Sequence, residues 1–100
     1  MVIHSKMKPG KKIIRRLRVK NSLGLHTRPA VMIVKLLQEK NADVHFTYKR
    51  ETIDARSMIG LLMLAATKNS LITVCTEGED AEEVMALLVE TFENEFKEKR

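Results

Sequence analysis

Apolar and polar positions alternate along the chain in two rhythms. Between Lys12 and Lys20, Leu17 and Val19 alternate with Arg16, Arg18 and Lys20, and Ile13 and Ile14 precede them. This is the period of a half-buried strand. Asn21-Ser22-Leu23-Gly24 interrupts it as a loop. From Thr27 to about Lys40 the rhythm becomes helical: Ala30, Ile33, Val34 and Leu37 repeat on one face, and Val31, Met32 and Leu36 widen it. Lys35, Gln38, Glu39 and Lys40 mark the wet side, and Asn41 is the expected C-cap. Asp43 to Lys49 alternates again, with Val44, Phe46 and Tyr48 facing in and His45, Thr47 and Lys49 facing out. Lys49-Arg50-Glu51 reads as a turn that lacks the usual glycine, and Thr52-Ile53-Asp54 as a short returning strand.

A different segment follows. Met58 to Ala66 is almost wholly apolar, and Ser57 stands before it as an N-cap candidate. A helix this apolar is either buried all round or presents a patch to a partner. Met58, Ile59 and Leu62 are expected to be partly exposed beside Ser57. Lys68-Asn69-Ser70 is a turn. Leu71 to Thr76 is a strand with Ile72 and Val74 inward and Cys75 on the opposite face. Glu79-Asp80 opens a last helix with Ala81, Val84, Met85, Leu88 and Phe92 as its buried stripe and Phe96 near its end. Glu82 and Glu83 suit its N-terminus, and Lys97, Lys99 and Arg100 its C-terminus. The order βαββαβα predicts an α+β two-layer fold, an antiparallel sheet with helices over one face.

Charge adds a boundary. Residues 1–20 hold eight basic side chains and no acid, whereas residues 21–100 hold ten bases against thirteen acids. The basicity is therefore local. Residues 1–11, which include Pro9-Gly10, read as a flexible basic N-terminal extension, and residues 12–100 as one domain. A solvated tail is the simpler reading of such an arm, and nucleic acid is not the expected partner. With three phenylalanines, one tyrosine and no tryptophan there is little with which to stack on bases. Cys75 is the single cysteine, so an intrachain disulfide is excluded and a reduced, cytoplasmic setting fits. No apolar run is long enough to cross a bilayer.

The sequence has no glycine-rich phosphate loop, no Cys/His metal cluster and no evident pair of carboxylates. Neither a metal nor a cofactor is expected. Two helix starts remain: His26 with Arg28, and Ser57 with Arg56. Free N–H groups and partial positive charge make a helix start suitable for an anion. An imidazole there, with an arginine two residues on, suits a phosphoryl group as ligand or as covalent adduct; plain capping is the alternative.

Leu23-Gly24-Leu25-His26-Thr27-Arg28-Pro29-Ala30 resembles the active-site signature of the HPr family, the histidine phosphocarriers of the bacterial phosphoenolpyruvate-dependent phosphotransferase system. Arg56 to Leu64 resembles the family's regulatory-serine helix, and the resemblance runs from about Lys12 to Phe96. It implies an open-faced β-sandwich, a four-stranded antiparallel sheet covered on one face by three helices. It also implies a cytoplasmic, monomeric carrier, itself a phosphorylation substrate rather than an enzyme. His26 would take phosphate on Nδ1 from enzyme I and pass it to IIA-type domains. Arg28 would stabilise the phosphoryl group, and Thr27, Met58, Ile59 and Leu62 would dock partners. Ser57 would be a target of HPr kinase/phosphorylase. A mainly regulatory module of an incomplete or nitrogen-type system, controlled at Ser57, is the alternative. Thr27 in place of the common alanine, the glycine-free turn at Lys49-Arg50-Glu51 and the basic arm depart from the family pattern.

Overall fold

Four strands and three helices follow the expected order in the computed structural model, which describes residues 11–97. They are β1 (Lys11–Arg18), α1 (Thr27–Leu37), β2 (Asp43–Tyr48), β3 (Glu51–Asp54), α2 (Met58–Met63), β4 (Leu71–Gly78) and α3 (Ala81–Glu93). The basic extension expected before Lys12 lies, apart from Lys11, outside the described residues. So do Lys99 and Arg100. The sheet order is β1-β4-β2-β3, and every pairing is antiparallel. Alternation explains the layering. Leu17, Val44, Phe46, Ile72, Val74 and Thr76 are buried, and their neighbours Arg16, Arg18 and His45 are exposed.

The helices close the buried face. α1 contributes Ala30, Ile33 and Leu37, and α3 contributes Ala81, Val84, Met85, Leu88 and Phe92. Phe92 meets Phe46 edge-on at 6.0 Å and Phe96 at 5.0 Å between ring centroids. Full burial of each such side chain stabilises the fold by about 1.5–3 kcal/mol. α3 lies over β1 and β4, whereas α2 packs on α1 and β3. The helical layer thus spans both edges of the sheet.

Several expected boundaries shift, each for a local reason. α1 stops at Leu37, and Gln38, not Asn41, is its C-cap, in a right-handed conformation. An arginine from another segment replaces the left-handed cap: Arg56 donates to the Leu37, Lys40 and Ala42 carbonyls at 3.0, 2.7 and 2.6 Å. Glu51 belongs to β3 and pairs with Tyr48. The turn is only Lys49-Arg50, both left-handed, with φ of 50° and 71°. Positive φ at both central residues is what a type I′ hairpin requires. α2 ends at Met63, followed by Ala65 with φ of 52°.

Candidate functional site

The loop before α1 is built around Gly24. Its φ is +71°, and an added Cβ would lie 2.3 Å from the Ala66 carbonyl oxygen. Only glycine fits that approach. The buried Asn21 donates its side-chain amide to the Gly24 carbonyl at 2.6 Å, and Gly24 N–H returns a bond to the Asn21 carbonyl at 3.1 Å. Leu25 N–H then donates to the Ala66 carbonyl at 3.0 Å, tying this loop to the segment after α2.

His26 emerges from that clamp as the N-cap of α1. Its backbone is extended, with φ −87° and ψ −164°, and its side chain makes no capping hydrogen bond. Its backbone is fully occupied: the N–H donates to Gly24 at 2.9 Å, and the carbonyl accepts from Ala30 at 3.1 Å. The half-buried imidazole is left uncommitted beside the helix start. The N–H groups of Thr27 and Arg28 have no partner among the described residues, and Pro29 has none to offer. The first turn also carries no acidic side chain to repel an anion. Such an arrangement suits a phosphoryl group: two backbone donors, the positive end of a helix and a nucleophilic ring nitrogen.

Arg28 makes a contact that the sequence does not predict. One guanidinium N–H donates to the Phe96 carbonyl at 2.6 Å and lies 3.3 Å from the Met32 sulfur. The chain presents that carbonyl through left-handed residues, Glu95 and Phe96, with φ of 61° and 59°. A guanidinium has five N–H donors, so this anchor leaves most of them for an anion. The Phe96 carbonyl is the site contact that sequence reasoning misses, because a left-handed phenylalanine has no local signature.

The second helix start keeps its expected cap. The Ser57 hydroxyl accepts from Gly60 N–H at 2.9 Å. Arg56, however, points away from it, toward the C-terminal end of α1. Ile59 and Leu62 are exposed to 69 % and 40 %, while Met58 is half-buried against the core. Met63 and Leu23 are also exposed, at 73 % and 74 %, and the apolar pattern alone marks neither. Leu23 lies in the loop that Leu25 ties to Ala66, so the exposed apolar side chains flank the joined α1–α2 region. Thr27 is exposed beside His26.

Elsewhere, His45 is exposed on β2, opposite Cys75 on β4 and Asp54 on β3. No group of three or more His, Cys, Asp or Glu among the described residues is arranged to hold a metal ion. No helix among them is long and apolar enough to cross a membrane.

Comparison with known proteins matches this geometry to one family. A family model described as "PTS HPr component phosphorylation site" matches residues 13–94. The phosphocarrier protein HPr of Chlamydia muridarum is 42 % identical over 80 residues, covering 80 % of this chain and 77 % of that protein. A crystal structure of a phosphocarrier protein HPr from Bacillus anthracis superposes with a TM-score of 0.78 at 32 % identity, covering 83 % of this chain and 99 % of that one. An HPr dimer from Thermoanaerobacter tengcongensis gives a TM-score of 0.69 at 28 % identity, covering 82 % and 94 % of the two chains.

Proposed function

Since the chain belongs to the HPr family of phosphotransferase-system phosphocarriers, we propose that His26 is the residue on which it carries the phosphoryl group. The uncommitted imidazole at the N-cap of α1 carries this reading. Nδ1 attacks phosphorus on phosphorylated enzyme I. The new N–P bond forms as the donor's bond to phosphorus breaks, and the electron pair of that bond stays with the donor. The proton on Nε2 remains in place. The Thr27 and Arg28 N–H groups and the Arg28 guanidinium receive the phosphoryl oxygens. A IIA-type domain then attacks the same phosphorus and takes the group on. In this reading the protein is a cytoplasmic carrier, consumed and regenerated, rather than an enzyme with turnover of its own. It acts as a monomer, and sugar uptake is one process the transfer can serve.

Docking is assigned to Thr27 with Met58, Ile59 and Leu62. Exposed large apolar side chains, here Ile59 and Leu62, beside a reactive group are a physical reason for a partner to bind there. Incubation with enzyme I and phosphoenolpyruvate is expected to place an acid-labile, base-stable phosphate on His26. Full labelling of His26→Ala would overturn the assignment.

Ser57 is proposed as a control point, phosphorylated by HPr kinase/phosphorylase. Its position as the N-cap of α2, two residues before the exposed Ile59, supports this. A phosphate there adds roughly −1.5 to −2 charges beside the docking side chains. The modified protein is expected to accept phosphate from enzyme I more slowly. In the second, mainly regulatory reading, ATP-dependent labelling at Ser57 exceeds flux through His26. Absence of any label lost in Ser57→Ala would remove that reading.

A further inference from the structure

β1 forms one edge of the sheet, with β4 as its one strand partner among the described residues. The ladder reveals which of its backbone groups are in use. Val19 N–H donates to the Ser70 carbonyl at 2.9 Å, and this pair continues the β1–β4 register. Bonding alternates along an antiparallel strand, so Leu17, Arg15, Ile13 and Lys11 turn their backbone groups to β4. Lys12, Ile14, Arg16 and Arg18 turn theirs outward. Such a row is a template for another strand.

The side chains around this edge are distinctive. Five of the eight β1 residues are basic and none is acidic. Lys11 is paired with Glu82, and Arg18 donates to the Asn69 carbonyl at 2.8 Å. Lys12, Arg15 and Arg16 have no hydrogen-bond or ion-pair partner among the described residues. Between β1 and α3 runs an open groove of about 720 Å³, in which Ile13, Met85 and Val89 lie beside Lys12 and Arg15 on the strand side and Glu82 and Glu90 on the helix side. Ile14, which alternates with Ile13 on the strand, is 56 % exposed.

We infer that the free edge of β1 is a docking site for an extended, acid-rich segment of a partner protein. Charge selects the occupant. A second copy pairing β1 against β1 would set lysine and arginine opposite one another, which is destabilising. A nucleic acid would use the cations but leave the backbone row and the aliphatic side chains of the groove unused, and would meet Glu82 and Glu90 there. An extended segment alternating acidic and aliphatic residues satisfies all three features: backbone bonds to the edge, carboxylates to Lys12 and Arg16, and aliphatic side chains in the groove. α2 packs on β3, the opposite edge of the sheet. A segment on β1 and a partner at the α1–α2 region can therefore be bound together.

The test uses the full chain and a fluorescein-labelled peptide of alternating glutamate and valine, followed by anisotropy and by amide hydrogen exchange. The peptide is expected to bind in low salt and to protect the amides of Lys12, Ile14, Arg16 and Arg18. Those of Ile13, Arg15 and Leu17 are already protected by β4. Ile14→Pro removes one outward N–H without touching the ladder, as proline is accommodated on strand edges. It is expected to weaken binding about three- to tenfold, the effect of one backbone hydrogen bond. Arg16→Glu, which leaves the backbone intact, is expected to weaken it further and covers the case in which the proline variant does not fold. Peptide binding without protection of the outward amides overturns the inference. So does protection of those amides in the absence of peptide through a concentration-dependent dimer, or tighter binding of duplex DNA than of peptide at the same edge.

Discussion

Replacing Gly24 with alanine separates the geometry of the site from the stability of the fold. A non-glycine residue at φ of +71° costs about 1–2 kcal/mol. The added Cβ would sit 2.3 Å from the Ala66 oxygen and 2.9 Å from the Thr67 Cα. Both are backbone atoms and cannot rotate aside, so the loop must lift from the segment after α2. The bond from Leu25 N–H to that same oxygen, 3.0 Å long, is then lost, which costs about 1 kcal/mol. Together these give a destabilisation of about 2–4 kcal/mol, with the clash adding to strain and bond loss. A domain of ordinary stability, about 5–15 kcal/mol, remains mostly folded after such a loss. Slower phosphorylation then reports a displaced His26, two residues further on, and not an unfolded chain. The assay pairs urea unfolding with the rate of phosphate transfer from enzyme I. The midpoint is expected to fall at constant slope, and the transfer rate to fall with it. Gly78→Ala is the control: it also meets a positive φ, of 125°, but at the far end of β4. It is expected to lower stability and leave transfer unchanged. A Gly24→Ala protein within about 1 kcal/mol of the parent, transferring phosphate at the parent rate, would refute the reasoning.

Three further perturbations test separate contacts. Arg28→Lys keeps the charge but loses the fork, so one ammonium must serve either the Phe96 carbonyl or the phosphoryl group; transfer is expected to slow on the order of tenfold with stability changed by less than about 1 kcal/mol, measured by single-turnover labelling. Arg56→Met removes three hydrogen bonds to carbonyls around the end of α1 and is expected to cost about 2–4 kcal/mol; amide exchange is expected to quicken at residues 37–42, and His26 labelling to continue at the parent rate. The Lys11 ammonium, first by its hydrogen bond and then by its charge, holds the Glu82 carboxyl below its ordinary value. That contribution is complete above the unfolded-state pKa and is lost as pH falls through the folded one. The acid limb of a urea-midpoint profile is therefore expected to be slightly shallower in Glu82→Gln, and only slightly, because the pair is exposed.

What was legible in the chain was whatever depended on period and short range. Strand alternation placed Val44, Phe46, Ile72 and Val74 inside, and helical spacing placed Ala30, Ile33, Leu37 and the stripe of α3. Ser57 is readable as a cap because its hydroxyl and the Gly60 N–H it accepts from are only three positions apart. The end of α1 is not legible in the sequence because its carbonyls are served by Arg56, 19 residues from Leu37. Arg28 and Phe96 are separated by 68 positions, and neither type of residue advertises the other. The sequence marks a turn at Lys49-Arg50-Glu51, but not the left-handed pair Lys49-Arg50 within it, because lysine and arginine are unusual there. In α2 the apolar run erased the contrast that tells one face from another. The pattern therefore does not distinguish Met63, although it is as exposed as Ile59.

Pro29 has a consequence for how long a carried group stays. In the first turn of α1 it removes the third backbone donor that an ordinary helix would turn toward an anion. Two remain, at Thr27 and Arg28. Each charge-assisted bond to an oxyanion contributes about 1.5–3 kcal/mol, and a third would deepen the well by that amount. A deeper well would lengthen residence and lower the potential for onward transfer, which a relay needs near the middle of its range. The proline therefore acts as a limit on retention. If His26 carries the group as proposed, the same proline that shapes the helix start keeps the phosphoryl group loosely enough held to move on.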